Sequence, residues 1–198
     1  SRELVFLAGG DLFMILTFGA IASLVLGIGM TVSACYIFLA IVLAPAIIQG
    51  GIDPLAAHLY VLYWGVLSFI TPPVAIAAIT ASSISKTSAL KTGFLSMRLG
   101  SILFFLPILF VFDSSMLMQG NSTDIIMAVL IAIFAIIIIS ASFEGYIYKL
   151  GNINKIIRVI FFISGVLILM PNLTSKYIGL IILIITTILL LLTKLKNK

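Results

Sequence analysis

Long uncharged apolar runs alternate with short polar segments along this chain. The first run, from Leu12 to Ile52, contains no Asp, Glu, Lys or Arg. As one helix it would be roughly 60 Å long, whereas the hydrocarbon core of a bilayer is about 30 Å thick. The pattern therefore predicts two spans, or a hairpin that enters and leaves the membrane on one side, over residues 12–48.

The second run, from Pro54 to Ser85, is interrupted near its middle by Thr71-Pro72-Pro73. Adjacent prolines remove backbone donors and clash with the preceding helical turn. We therefore expect a broken helix over residues 54–85. A shorter run predicts one further span over residues 99–112.

The rest of the chain contains three more apolar runs separated by polar segments. They predict helices over residues 125–143, 159–170 and 178–193. We therefore divide the chain into residues 1–120, with the hairpin, the broken helix and a span, and residues 121–198, a three-helix membrane extension.

Composition supports a membrane location. The chain is 63% hydrophobic and only 9% charged, whereas soluble domains are about 45–50% apolar and about 25% charged. Mean hydropathy is +1.36. These values exclude a soluble enzyme, a disordered tail and a nucleic-acid-binding module. The predicted class is an all-α integral membrane protein, with the lipid bilayer as its surroundings.

The basic residues predict an orientation. With Lys86–Arg98 in the cytoplasm, alternation of the spans also places Lys149–Arg158 and the lysine-rich end of the chain inside. Among the basic residues of the connecting segments, only Lys176 then lies outside. This distribution obeys the positive-inside rule and predicts a cytoplasmic C-terminus. Because the chain begins at Ser1 without a signal-peptide pattern, we expect it to be the C-terminal piece of a longer protein.

Two interruptions within apolar runs are the candidate functional features. Non-helical backbone at membrane depth is tolerated where protein or a water-filled cavity meets it, and paired broken helices form ion and substrate sites in transporters. Close helix packing and a proline kink explain either interruption alone equally well. Two neighbouring interruptions with hydroxyl side chains favour a site, formed by Gly27, Gly29, Thr31 and Ser33 in one and Ser68, Thr71, Pro72 and Pro73 in the other.

An intramembrane enzyme is disfavoured by the residues that are missing. The chain has one histidine, His58, and one cysteine, Cys35. A metalloprotease needs two histidines on one helix, an aspartyl protease needs two aspartates within spans, and a serine protease needs a base at depth. We therefore expect no enzyme. A non-catalytic membrane scaffold remains the alternative, chiefly for the last three helices.

Several motifs resemble the large membrane subunit of tripartite ATP-independent periplasmic (TRAP) transporters. They are the hairpin-tip sequence Gly27–Tyr36, the segment Gly51–His58 and the broken-helix sequence Leu67–Ala75. Lys91–Phe94 and Arg98–Gly100 are also similar, and Ser142–Tyr146 resembles the C-terminal extension of the fused-permease branch. The resemblance is strong over residues 20–120 and looser after residue 150.

The resemblance implies a Na⁺-coupled importer of a small organic anion such as a carboxylate, in the bacterial inner membrane. A periplasmic solute-binding protein would deliver the substrate, an elevator motion would carry it, and no cofactor other than Na⁺ would be needed. The other inverted repeat would complete the site. The implied binding residues are Gly27, Gly29, Met30, Thr31, Ser33, Ser68, Thr71, Pro72 and Pro73, with Na⁺ held by Gly29, Thr31, Ser33 and Thr71.

The hairpin tip departs from the family pattern Gly-Met-Gly-Met-Pro-Thr-Thr-Ala. Here Thr31 replaces the proline and Val32 replaces a threonine. Val32 has no hydroxyl that could bind Na⁺, so the coordination of Na⁺ at this position, or the choice of substrate, is expected to differ from that of the family. Backbone carbonyls remain available as ligands at this position.

Overall fold

The computed structural model describes residues 6, 8–148 and 150–196, with side chains as far as Thr193. The chain forms two compact units, Ser1–Leu117 and Met118–Lys198. Nearly all regular structure is helical, and the predicted all-α class is confirmed.

The first unit contains seven α-helices in its described part. They are α1 (Leu12–Leu26), α2 (Val32–Val42), α3 (Ala44–Gln49), α4 (Pro54–Leu67), α5 (Ile76–Ser85), α6 (Ala89–Leu99) and α7 (Leu106–Phe112). Two 3₁₀ turns, Ser101–Phe104 and Ser114–Leu117, flank α7. The second unit contains α8 (Ser122–Glu144), α9 (Lys155–Leu169) and α10 (Leu173–Lys196), with a two-stranded hairpin of β1 (Tyr146–Ile147) and β2 (Gly151–Asn152).

Polar side chains at the helix starts satisfy backbone donors that the apolar interiors cannot. An Asp11 carboxylate oxygen accepts from the Met14 amide at 2.9 Å. Asp53 accepts from the Leu55 amide at 2.9 Å and from the Ala56 amide at 3.3 Å. Such caps stabilise a helix start by about 0.5–2 kcal/mol. The acidic residues at the predicted boundaries of the first two runs therefore define where α1 and α4 begin.

The helices α1, α2 and α3 fold back on themselves as a hairpin. A Cβ added at Gly19 would lie 3.0 Å from the Leu43 side chain, and one at Gly50 would lie 3.0 Å from the Leu12 side chain. The start of α1 therefore lies beside the end of α3, as a hairpin requires. Between them and α4 lies a core that includes Ile15, Leu39, Leu43, Ile47, Tyr60 and Val61.

Helix α4 runs in the same direction as α1. The Tyr60 hydroxyl donates to the Leu16 carbonyl oxygen at 2.7 Å, and a Cβ at Gly27, after the end of α1, would touch Ser68, after the end of α4. A buried Tyr hydroxyl needs a partner, and this bond provides it. The parallel arrangement brings both helix C-terminal ends to one place.

Three helical segments in the described residues are long and apolar enough to cross a membrane. They are Val32–Gln49, which joins α2 and α3, Ser122–Glu144, which is α8, and Leu173–Thr193 of α10. The segment predicted as a span over 99–112 contains a 3₁₀ turn followed by the seven-residue α7. The segment Ser101–Phe112 makes an angle of 70° with α6, and the two together count as a fourth candidate span if they are treated as one bent helix. The span bounds and the division at residue 120 stay predictions.

Small residues pack the helices of the second unit closely. A Cβ at Gly165 of α9 would lie 2.5 Å from the Ile139 side chain of α8. A Cβ at Gly179 of α10 would lie 2.9 Å from the Ser164 carbonyl oxygen. Contacts of this kind bring helix backbones together in an apolar medium, where no hydrophobic force drives association.

Arg158, predicted as a charge of a basic loop, lies in the first turns of α9 and ties it to the end of α8. Its Nε donates to the Ser142 carbonyl oxygen at 2.8 Å, and its guanidinium also donates to the Phe143 carbonyl. The Ser142 hydroxyl donates in return to the Arg158 carbonyl at 2.8 Å. The last carbonyls of a helix lack intrahelical partners and favour a nearby cation. Arg158 therefore satisfies the end of α8.

Candidate ion and substrate site

The first part of the site is the tip, residues 27–31, which connects α1 to α2. The Gly27 amide donates to the Ser23 carbonyl at 2.9 Å and ends α1. Gly29 follows with φ +86°, a left-handed conformation that favours glycine. The Thr31 hydroxyl then accepts from the Ala34 amide at 3.3 Å and caps α2. The predicted interruption is therefore a genuine reversal of the chain.

The second part is the break, residues 68–75, which separates α4 from α5. The Ser68 hydroxyl donates to the Gly65 carbonyl at 2.7 Å, and the Thr71 hydroxyl donates to the Leu67 carbonyl at 2.7 Å. Pro72 and Pro73 are joined by a cis peptide bond. The left-handed Ala75, with φ 39°, precedes the restart of the helix at Ile76. The double proline thus interrupts the helix where the sequence predicts it.

The structure brings the tip and the break into direct contact. A Cβ at Gly27 would lie 2.5 Å from the Ser68 Oγ and 2.6 Å from the Gly65 carbonyl oxygen. Separations under 3.0 Å do not occur for real Cβ atoms, so only glycine allows this approach. Gly27 and Ser68 are both buried. We call this the tip–break contact.

Helix α6 supports the break. A Cβ at Gly93 would lie 2.8 Å from Pro72 Cγ and 3.5 Å from the Ala75 Cβ. A Cβ at Gly100 would lie 2.9 Å from the end of the Ile70 side chain. The break therefore has α6 packed against it, as well as the tip.

The remaining predicted site residues differ in exposure. Gly29, Thr31, Ser33 and Pro73 are exposed, while Met30, Thr71 and Pro72 are half-buried. Among the described residues no hydrogen bond joins Thr31 or Ser33 to the break. Gly27 and Ser68 are therefore in contact, whereas no described hydrogen bond joins the Thr31 or Ser33 hydroxyl to the Thr71 hydroxyl.

The departures from the family pattern have a local structural consequence. Thr31 is the N-cap of α2, a position at which its hydroxyl satisfies a backbone donor. Val32, the first residue of α2, is 37% exposed. Its side chain is therefore exposed rather than packed in the core.

The tip–break contact is uncharged and rich in oxygen atoms. No Asp, Glu, Lys or Arg lies between Leu12 and Ile52 or between Pro54 and Ser85. The Ser68 and Thr71 hydroxyls donate to carbonyls, which leaves their lone pairs available as acceptors. In the described part of the chain no group of three His, Cys, Asp or Glu residues is placed to hold a metal.

Two glycines that contact the break, Gly65 and Gly93, were not predicted as site residues from the sequence. Gly65 accepts from Ser68 and also lies beside Cys35, whose sulfur would be 3.1 Å from a Cβ at residue 65. Gly93 contacts Pro72 from α6. Each is an isolated glycine within a helical segment. Such a glycine indicates that another part of the chain packs closely against the helix, but it does not indicate which part.

The other singled-out side chains have structural contacts. The Tyr36 hydroxyl and His58 Nδ1 are 3.1 Å apart and join α2 to α4. Cys35 is buried.

One family description matches the chain: Tripartite ATP-independent periplasmic transporter, DctM component, over residues 2–119. No curated protein and no solved structure matches. The matched residues cover more than half of the chain and include the tip, the break and α6. This protein is a multi-pass membrane protein that belongs to the DctM family of TRAP transporter membrane components.

Proposed function

We propose that the chain forms part of a Na⁺-coupled importer of a small organic anion, with Na⁺ bound at the tip–break contact. The observation that carries this proposal is the approach of Gly27 to Ser68 and to the Gly65 carbonyl. The contact joins two interruptions that lie far apart in the sequence, and it does so at the ends of two parallel helices.

Helix polarity favours a cation at this contact. Helices α1 and α4 both end there, at Leu26 and Leu67, and neither has a basic residue in its last turn. A helix C-terminus carries a partial charge of about −0.5. Two such ends without a neutralising side chain attract a cation, and paired half-helix ends coordinate Na⁺ in other transporters.

The oxygen atoms nearby suit Na⁺. We propose Gly29, Thr31, Ser33 and Thr71 as its ligands, through carbonyl or hydroxyl oxygens. Thr31 and Ser33 come from the tip, and Thr71 from the break. Because Thr31 and Ser33 are exposed, they would reach Thr71 through closure of the tip. The other inverted repeat would complete the coordination.

The starts of the next helices favour an anion beside the cation. Helix α2 begins just after the tip at Val32, and α5 begins just after the break at Ile76. Helix N-termini bind carboxylates through backbone amides and the helix dipole. No side chain caps the start of α5. The Ala77 amide donates to the Phe69 carbonyl at 3.1 Å, and the other amides of this first turn suit a substrate carboxylate. Met30, Pro72 and Pro73 would line this side of the site.

The proposed arrangement in the cell follows from the family and the basic residues. The permease would lie in the bacterial inner membrane with the C-terminus of this chain in the cytoplasm. A periplasmic solute-binding protein would deliver a carboxylate substrate, and an elevator motion of the domain would carry substrate and Na⁺ together across the membrane.

A scaffold role is the better proposal for α8–α10. The family match ends at residue 119, and α8 runs without interruption over 23 residues. Helix α10 has 24 residues, again as one continuous helix. Neither helix contains a break of the kind seen between α4 and α5. These helices would support the transport domain without forming part of the pathway.

Uptake by the full-length permease in proteoliposomes tests the proposed function. With its solute-binding protein and a panel of labelled organic acids, we expect uptake of one acid that requires both the binding protein and an inward Na⁺ gradient. A K⁺ gradient of equal size is the control. Folded protein that transports none of the acids, or transports one equally well without Na⁺, would contradict the proposal.

A further inference from the structure

An open groove lies where α8 and α9 meet in the second unit. Its volume is about 500 Å³, within the roughly 300–1,000 Å³ typical of small-molecule sites. It is lined by Ser142, Phe143, Lys155, Arg158, Val159 and Phe162. The groove therefore combines two cations with an apolar floor, and it lies outside the residues matched by the family.

The apolar part of the groove has a defined shape. The rings of Phe143 and Phe162 meet edge to face with centroids 5.6 Å apart. Val159 is 58% exposed beside them. This surface would face lipid in a membrane, so an acyl chain is the natural group to cover it.

The polar part of the groove is positively charged. Arg158 donates to the Ser142 and Phe143 carbonyls at the end of α8, and these neutral partners leave its guanidinium with its formal charge of +1. Lys155 lies one turn earlier on α9 and is exposed. Two cations beside an apolar floor complement a group with an anionic head and an apolar tail.

We propose that this groove binds an anionic phospholipid, with the headgroup phosphate on Lys155 and Arg158 and an acyl chain along Phe143, Val159 and Phe162. Basic pockets between membrane helices recognise anionic lipid headgroups in this way. Free phosphate shares the headgroup chemistry but leaves the apolar floor uncovered. The lipid is therefore the occupant that satisfies both parts of the groove.

The first test uses the full-length permease in nanodiscs with phosphatidylglycerol that carries a photoreactive diazirine on one acyl chain. We expect crosslinks, mapped by peptide mass spectrometry, on the segments that contain Phe143 and Phe162. The same label on phosphatidylcholine should crosslink there far less. Equal crosslinking by the two lipids would overturn the proposal.

The second test measures phosphatidylglycerol retained by the purified permease in native mass spectrometry. Loss of one basic residue near a membrane surface weakens anionic lipid binding by about fivefold, so we expect this loss for Lys155→Gln. Lys176→Gln, before the apolar part of α10, is the matched control and should retain the lipid. Val159→Phe should reduce retention by filling the groove without a change in charge.

Three results would contradict the inference. One is full retention in Lys155→Gln, and another is an equal loss in Lys176→Gln. The third is displacement of the lipid by millimolar inorganic phosphate, which would assign the groove to phosphate alone. None of these results bears on Na⁺-coupled uptake, so failure here is distinguishable from failure of the proposed function.

Discussion

Gly27→Ala in the full-length permease is expected to reduce Na⁺-driven uptake about tenfold or more, because extra atoms in a closely packed contact cost about 1–3 kcal/mol. The added Cβ would lie 2.5 Å from the Ser68 Oγ and 2.6 Å from the Gly65 carbonyl oxygen. The carbonyl belongs to the backbone of α4 and cannot rotate away. The tip must therefore lift from the break. Uptake in proteoliposomes measures the effect.

Gly19→Ala, within α1, is the matched control. Its Cβ would lie 3.0 Å from the Leu43 side chain, whose methyl groups can shift by rotation. We expect near-normal uptake from this variant, with equal amounts of both proteins in the membrane. Equal uptake by the two variants would show that the tip–break contact is not required for transport.

Thr71→Val should raise the Na⁺ concentration that gives half-maximal uptake about tenfold or more, because an unmade hydrogen bond or lost polar ligand costs about 1–3 kcal/mol. Valine keeps the shape of threonine but removes the hydroxyl that donates to the Leu67 carbonyl at 2.7 Å. That hydroxyl is also a proposed Na⁺ ligand. Initial uptake rates over a series of Na⁺ concentrations measure the shift.

Thr80→Val controls for the loss of a hydroxyl as such. The Thr80 hydroxyl makes the same kind of bond, to the Ile76 carbonyl at 3.0 Å, but lies in the exposed part of α5. We expect its Na⁺ dependence to match that of the wild type. A Thr71→Val permease with wild-type Na⁺ dependence would remove Thr71 from the ligand set.

The interruptions of the helices were predictable because they depend on local backbone chemistry. Two adjacent prolines interrupt the interior of a helix, and the structure ends α4 at Leu67 and begins α5 at Ile76. The glycines at residues 27 and 29 likewise predicted the tip. Both features follow from a few neighbouring residues and need no knowledge of the rest of the chain.

The contact between the two interruptions was not predictable from one sequence. Gly27 and Ser68 are separated in the sequence by α2, α3 and α4, and a glycine does not specify which surface approaches it. For the same reason the contacts of Gly65 and Gly93 with the break were not predicted. The 70° bend between α6 and the segment Ser101–Phe112 was missed too, because hydropathy reports the length of an apolar run and not its direction.

Arg158 shows a different limit. The distribution of basic residues predicts it as a cytoplasmic charge that orients the chain, and the structure adds that its guanidinium donates to the Ser142 and Phe143 carbonyls. Every residue has a backbone carbonyl, so the sequence does not indicate which carbonyls an arginine side chain will bind. The hairpin of β1 and β2, which positions α9 beside α8, was missed because each strand has only two residues.

Na⁺-dependent protection of the tip tests the central claim most directly. Val32→Cys would be labelled with a maleimide in a full-length permease whose native cysteines, including Cys35, are replaced by alanine. We predict slower labelling in NaCl than in KCl of equal strength, since Na⁺ would hold the tip against the break. Leu55→Cys, exposed at the start of α4, should label equally in both salts. Equal labelling of Val32→Cys in the two salts would contradict a Na⁺ site at the tip–break contact.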